Sequence, residues 1–170
     1  MLAKALGAVL VLGGGLWVGN AMAGLLEARV VEWQRWERAL AILASRVGYA
    51  AQILPDALRA AGRQVGGTVE SVLVRVSREV AEGRATAEEA WTHTCREYPG
   101  PLGERDWELL AQIGAILGRT GRSDQQRQLV ALREQAAERC REAREESRQL
   151  GRLYRYVGIL LAALLVLWLP

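Results

Sequence analysis

Phenylalanine is absent from this 170-residue chain, lysine occurs once, at Lys4, and histidine once, at His93. Without phenylalanine the apolar half is mostly Ala, Leu and Val, a composition that favours helix. Nearly all cations are arginines, interspersed with glutamates from residue 27 to 152, and the formal net charge is only +3. Such a mixture suits a solvated helical surface and argues against a basic face for nucleic acid. His93 has no second ligand at metal spacing, because Cys95 two residues on lies on a different helix face. Cys95 and Cys140 carry no disulfide or metal motif and read as reduced, partly buried thiols. There is no Walker A sequence, no HExxH, no CxxC, no GxSxG, and no nucleophile with an evident base. The carboxylates are plentiful, and all are assigned to solvated helix faces. The chain therefore reads as a non-enzymatic interaction or scaffold protein that needs no cofactor.

What is present is concentrated at the ends. Residues 2–26 are nearly all apolar or small, with Lys4 and Asn20 as exceptions, and match a membrane span of roughly 20 residues. A competing reading takes Ala5 to Val18 as the apolar region of a signal peptide, with Ala21-Met22-Ala23 as its cleavage pattern. Apolar character continues through Gly24, Leu25 and Leu26, which favours an uncleaved span. Gly13-Gly14-Gly15 lacks the lysine and hydroxyl of a phosphate loop. Gly15 and Gly19, extended by Ala23, place small residues on one helix face, which suits the C-terminal span or a second subunit.

Between the ends the spacing predicts six helices and no strand. Trp33, Trp36, Leu40, Leu43 and Val47 make the apolar stripe of the first, closed by Gly48. Pro55 opens a second, which ends near Gly62. Thr68 is the N-cap candidate of a third, carried by Val69, Val72, Leu73, Val76 and Val80 and ended by Gly83. Thr86-Ala87-Glu88-Glu89 is a capping box opening the fourth, which turns Ala90, Trp91 and Cys95 inward. Glu104 to Leu117 forms the fifth, after the Tyr98-Pro99-Gly100-Pro101 linker. The sixth starts at Ser123-Asp124 and carries Leu129, Leu132, Ala136, Cys140, Ala143, Ser147 and Leu150 along one stripe.

The sixth helix continues into a second apolar run. Val157 to Leu169 is about 20 Å long as a helix, a little short of the bilayer's hydrocarbon layer. Tyr154 and Tyr156 stand at its near edge and Trp168 at its far edge, where aromatic belts lie. The expected architecture is all-α, a six-helix bundle over 27–152 flanked by a transmembrane helix at 1–26 and another at 153–170. Arginines flank both spans on the inner side and only Lys4 lies outside. The bundle is thus expected in the cytoplasm and both termini outside it. The corner before the sixth helix, with Arg119, Gly121, Arg122, Ser123, Asp124 and Gln128, is the candidate partner-docking site.

Several stretches in order resemble one family over nearly the whole chain. They are Leu6-Gly7-Ala8-Val9, Leu54 with Asp56-Ala57, and Thr86-Ala87-Glu88-Glu89-Ala90-Trp91. Asp106, Glu108-Leu109-Leu110 and Gly114 follow, then Gly121-Arg122-Ser123-Asp124 with Gln128, and finally Tyr154 and Gly158 leading into the terminal apolar segment. This order resembles the stage III sporulation protein AB family of endospore-forming bacteria. The resemblance implies a helical bundle similar to the cytoplasmic domains of the inner-membrane platform protein of type II secretion and type IV pilus systems. It also implies a subunit of a channel complex built between mother cell and forespore during engulfment, with a cytoplasmic ATPase docking on the mother-cell side. Membrane lipid, other subunits of that complex and a second copy of this chain are the partners expected; nucleic acid is not.

Overall fold

A computed structural model describes the backbone of residues 2–48, 53–98, 100–117 and 122–168, and the side chains of these apart from 2–12, 48, 104, 122, 123, 155 and 161–168. The described residues form six α-helices and no strand. They are α1 (Leu2–Gly48), α2 (Leu54–Val65), α3 (Gly67–Ala81), α4 (Ala87–Glu97), α5 (Glu104–Leu117) and α6 (Arg122–Trp168). The apolar N-terminal run and the tryptophan-bearing stretch after it are one helix, with no break at residue 26. Nothing in that interval stops a helix: it has no proline, and its glycines lie in a strongly apolar context.

The chain divides into two compact units. One comprises residues 31–140, the other residues 1–30 with 141–170. In the first, α2 packs on α3, α3 on α4 and α4 on α5. Its core holds the tryptophans at the centre. Trp33, Trp36 and Trp91 are buried, and the rings of Trp36 and Trp91 meet at 5.6 Å between centroids, tilted by 60°. The Trp91 indole N–H donates to the Leu110 carbonyl at 2.8 Å, so one side chain links α4 to both α1 and α5. Leu40, Leu43, Leu58, Val72, Leu73 and Val76 fill the space beside them. These are the three-four-spaced residues of their helices, and burying each large one stabilises the fold by about 1.5–3 kcal/mol.

The helix ends show where backbone geometry prevails over residue type. α2 runs through Gly62, three residues beyond its expected end. A Cβ on Gly62 would stand 3.1 Å from the Leu73 Cβ, so this glycine sits mid-helix to let α3 come close. Gly66, at φ 75°, ends α2 instead and takes the N-cap place of α3. Thr68 therefore lies inside α3 and caps nothing. At the other end of α3, Gly83 (φ 66°) donates to the Val80 carbonyl and Arg84 to the Glu79 carbonyl, a Schellman closure. The capping box of α4 is complete: Glu89 N–H donates to Thr86 Oγ1 at 3.3 Å, and Thr86 N–H donates to Glu89 Oε2 at 2.9 Å. The Thr86 backbone N–H first, and the Thr86 hydroxyl second, which also donates to Glu89 Oε2 at 2.9 Å, hold the Glu89 carboxyl below its ordinary pKa.

Candidate functional site

The second unit is built from the two ends of the chain, and its geometry comes from glycine. A Cβ on Gly158 would stand 2.6 Å from the Gly15 carbonyl oxygen and 3.5 Å from the Gly19 Cα. The backbones of the two arms touch there, and no other residue fits at position 158 without moving them apart. Seven residues earlier, a Cβ on Gly151 would lie 3.8 Å from the Ala23 Cβ. Further along, Arg29 Nη1 donates to Glu146 Oε2 at 2.6 Å. The three contacts follow in antiparallel order, Gly15 and Gly19 against Gly158, Ala23 against Gly151, Arg29 against Glu146. Gly19, Ala23 and Gly151 are buried between the arms.

The larger apolar side chains of the same arms face outward. Trp17 is 72% exposed, Leu25 63%, Tyr156 64% and Leu160 67%, with Leu16, Val18 and Leu153 each above half. Small residues inside and large ones outside invert the order of a water-soluble helix pair, whose large apolar residues line the seam. Among the described residues no helix is long and apolar enough to cross a membrane. The outer parts of both apolar runs have side chains outside that set.

Where the arms turn from apolar to charged, a cavity of about 280 Å³ opens, lined by Glu27, Ser147, Arg148, Gly151 and Arg152. The expected stripe of α6 is corrected here. Leu150 is exposed, and the buried position is Gly151, four residues after Ser147. The step from Ala143 through Ser147 to Gly151 carries this signal, but a leucine draws an apolar assignment more readily than a glycine does.

The corner before α6 is described only in part. Arg119 and Gly121 lie outside the described residues; Arg122 and Ser123 have a helical backbone and undescribed side chains. Asp124 is exposed in the first turn of α6 and pairs with Arg127, and Gln128 is half-buried. Gln125, unremarked in the sequence, is buried and turns its amide toward the Ile116 and Leu117 carbonyls at the end of α5.

Two carboxylates depart from the expectation that all are solvated. Glu32 and Asp106 are buried. Asp106 Oδ2 accepts from the Gly103 backbone N–H at 3.0 Å and helps to close the start of α5. Glu32 Oε2 lies 3.3 Å from Arg35 Nη1, and burial raises its pKa although the guanidinium opposes the shift. Its place is readable afterwards: Glu32 stands four residues before Trp36, on the buried stripe. His93 is exposed, with its Nδ1 3.7 Å from Glu97 Oε1. No group of three metal-ligating side chains occurs among the described residues. Both cysteines are buried and neither is in a disulfide, and burial pushes the Cys95 thiol up to about 12, so it is inert at physiological pH. Cys95 also lines an apolar hollow of about 320 Å³ between α4 and α5, with Trp91 and Trp107 as walls.

The class these features define is an all-α protein whose apolar ends pair through glycine and whose middle is a helical bundle. The chain belongs to the stage III sporulation protein AB family (spore_III_AB), whose profile matches residues 4–170. A role in sporulation follows from that membership. A solved structure titled "Stage III sporulation protein AB (SpoIIIAB)" superposes with a TM-score of 0.65 at 20% sequence identity, covering 71% of this chain and 96% of that one. At that identity the likeness is one of fold. No curated protein matches the chain.

Proposed function

We propose that this chain is a non-enzymatic platform subunit of the stage III sporulation complex, anchored in the mother-cell membrane around the forespore by both ends. The observation that carries the reading is the glycine-sealed pair of arms with tryptophan, leucine and tyrosine turned outward. Large apolar side chains on the outside of a helix pair match a hydrocarbon surrounding, and small residues in the seam are how helices associate there. Residues 2–26 and 153–170 are then the transmembrane helices, and 27–152 lie in the cytoplasm, on the side where the arginines cluster. On that side the bundle presents the Arg119–Gln128 corner to the cytoplasmic ATPase of the complex, and other surfaces to its membrane subunits.

The test is thiol accessibility in intact sporulating cells. In a chain with Cys95 and Cys140 replaced, Ser45→Cys is expected to resist an impermeant thiol reagent until the cells are opened. Ala3→Cys is expected to react in intact cells. The reverse pattern overturns the orientation. Loss of residues 1–23 from the mature chain overturns the anchored reading in favour of a signal-bearing, tail-anchored adaptor outside the cytoplasm.

A further inference from the structure

The cavity at the charged end of the arms has a chemistry of its own. It lies on both helices at the point where their character changes. On α1, Leu25 and Leu26 precede it and Glu27 is the first charge after Lys4; on α6, Arg148 and Arg152 precede Leu153 and the apolar run. If the arms are in a bilayer, as proposed above, this plane is where headgroups lie. The lining combines two arginines one turn apart with Ser147 and Gly151, which are also one turn apart and leave the floor open. Among the described residues no carboxylate pairs with either arginine. Arg152 Nε donates to the Arg148 carbonyl at 3.1 Å, which fixes that guanidinium along the helix and leaves its two Nη groups for a ligand. Two guanidiniums against the single carboxylate of Glu27 leave one net positive charge. That charge matches a phosphodiester monoanion better than an inorganic phosphate dianion. Guanidinium N–H groups pair bidentately with phosphate oxygens, and the serine hydroxyl adds a donor.

We infer that the Glu27–Ser147–Arg148–Arg152 cavity is a binding site for the phosphodiester headgroup of an anionic membrane lipid. The inference rests on the membrane reading of the arms, which the cavity adjoins. A lipid seated there ties its phosphate to α6 while its acyl chains follow the exposed Leu25 and Leu153 side chains into the hydrocarbon. It thereby fixes the depth at which the arms sit.

The experiment uses the full-length chain reconstituted in equimolar phosphatidylcholine and phosphatidylglycerol, with a spin-labelled trace of one lipid or the other. The motionally restricted fraction reads contact with the protein; its ratio between labels reads headgroup preference. The wild-type chain is expected to prefer phosphatidylglycerol by about fivefold or more, the scale of one or two surface arginines acting on an anionic lipid. Arg148→Gln with Arg152→Gln is expected to bring the ratio to about one with the total restricted lipid unchanged, and Arg144→Gln, one turn earlier, to leave the ratio as it is. Restricted lipid without preference in the wild type overturns the site and spares the membrane reading. A chain that restricts neither lipid overturns both. Equal loss in Arg144→Gln shows diffuse charge and overturns the site. Loss of the preference on adding inorganic phosphate at constant ionic strength assigns the cavity to the free anion and overturns the lipid.

Discussion

Glu32, Arg35 and Gly67 form a unit of three residues in which each explains the next. Glu32 is a carboxylate in the core, and Arg35 is the cation that reaches it. A Cβ on Gly67 would stand 2.6 Å from Arg35 Nη1, at a φ of 67° that side chains rarely adopt. Because burial raises the Glu32 pKa, the folded chain holds that proton more tightly than the unfolded one. The corresponding stability is fully present below about pH 4.5, the ordinary value, and declines as pH rises through the elevated folded pKa. Glu32→Gln is therefore expected to remove this decline and to raise the melting temperature at pH 7. Thermal unfolding of both chains across pH 4–8 checks it, and a Glu32→Gln chain less stable than wild type at pH 7 shows that the Arg35 pair outweighs burial. Gly67→Ala is expected to destabilise by about 1–3 kcal/mol, from backbone strain and a displaced guanidinium. In the Glu32→Gln background its cost shrinks, because no buried carboxylate then waits for Arg35. The double-mutant cycle in denaturant reads that coupling. None of the trio was legible as a unit. Helical spacing places Glu32 on the tryptophan stripe, yet a charged residue among many charged residues reads as solvated until its neighbours are known. Gly67 stands next to the Thr68 cap candidate at the start of the third helix, and nothing in its own neighbourhood of sequence points to an arginine 32 residues earlier.

At the scale of elements, local chemistry carried most of the information. The capping box at Thr86, the valine stripe of α3 and the tryptophan stripe of α1 each follow from residues within one or two turns, and the helices stand where those signals lie. The ends of α2 and the inner face of α6 were harder because glycine has two uses. It stops a helix when it takes positive φ, as Gly66 does, and admits a neighbour when it stays helical, as Gly62 and Gly114 do. A Cβ on Gly114 would stand 2.7 Å from Trp91 Cδ1, so Gly114→Ala is expected to cost about 1–3 kcal/mol by overpacking the central indole, read from the urea midpoint. The spacing of Gly15, Gly19 and Ala23 marks a face for close approach but not what fills it; Gly158 and Gly151 do, more than 120 residues later in the chain. Ala23 and Gly151 also provide a measurement. A Cβ placed on Gly151 would lie 3.8 Å from the Ala23 Cβ, a separation that suits a disulfide. With Cys95 and Cys140 replaced, Ala23→Cys with Gly151→Cys is expected to oxidise readily within one chain. Adding Gly158→Val, whose side chain meets the Gly15 carbonyl, is expected to reduce the cross-linked fraction severalfold while the bundle keeps its helical circular dichroism. Unchanged cross-linking in that triple variant shows that the glycine contact does not set the approach of the arms.

For the whole molecule the question is which surface the complex uses, and here stability and assembly have to be separated. The corner before α6 joins two demands at one place. As a helix start it needs a cap and favours an acid, and Asp124 is the acid in the first turn. As a docking surface it needs exposed, directional groups, and Asp124 is exposed. Its partner Arg127 lies one turn on in the same helix, so breaking that pair uncouples no other element. An exposed pair of this kind contributes little to folding. Asp124→Ala is therefore expected to leave the melting temperature within a few degrees of wild type. In the proposed platform it is nonetheless expected to reduce co-purification of the complex's ATPase from sporulating cells, as is Arg122→Ala. Asp124→Asn separates the two demands, because asparagine keeps the size and a hydrogen-bonding oxygen of the first-turn side chain and removes its charge. If docking reads the charge, Asp124→Asn loses assembly as fully as alanine does. If it retains assembly while alanine loses both assembly and thermal stability, the corner is a helix start and the partner binds elsewhere on the bundle.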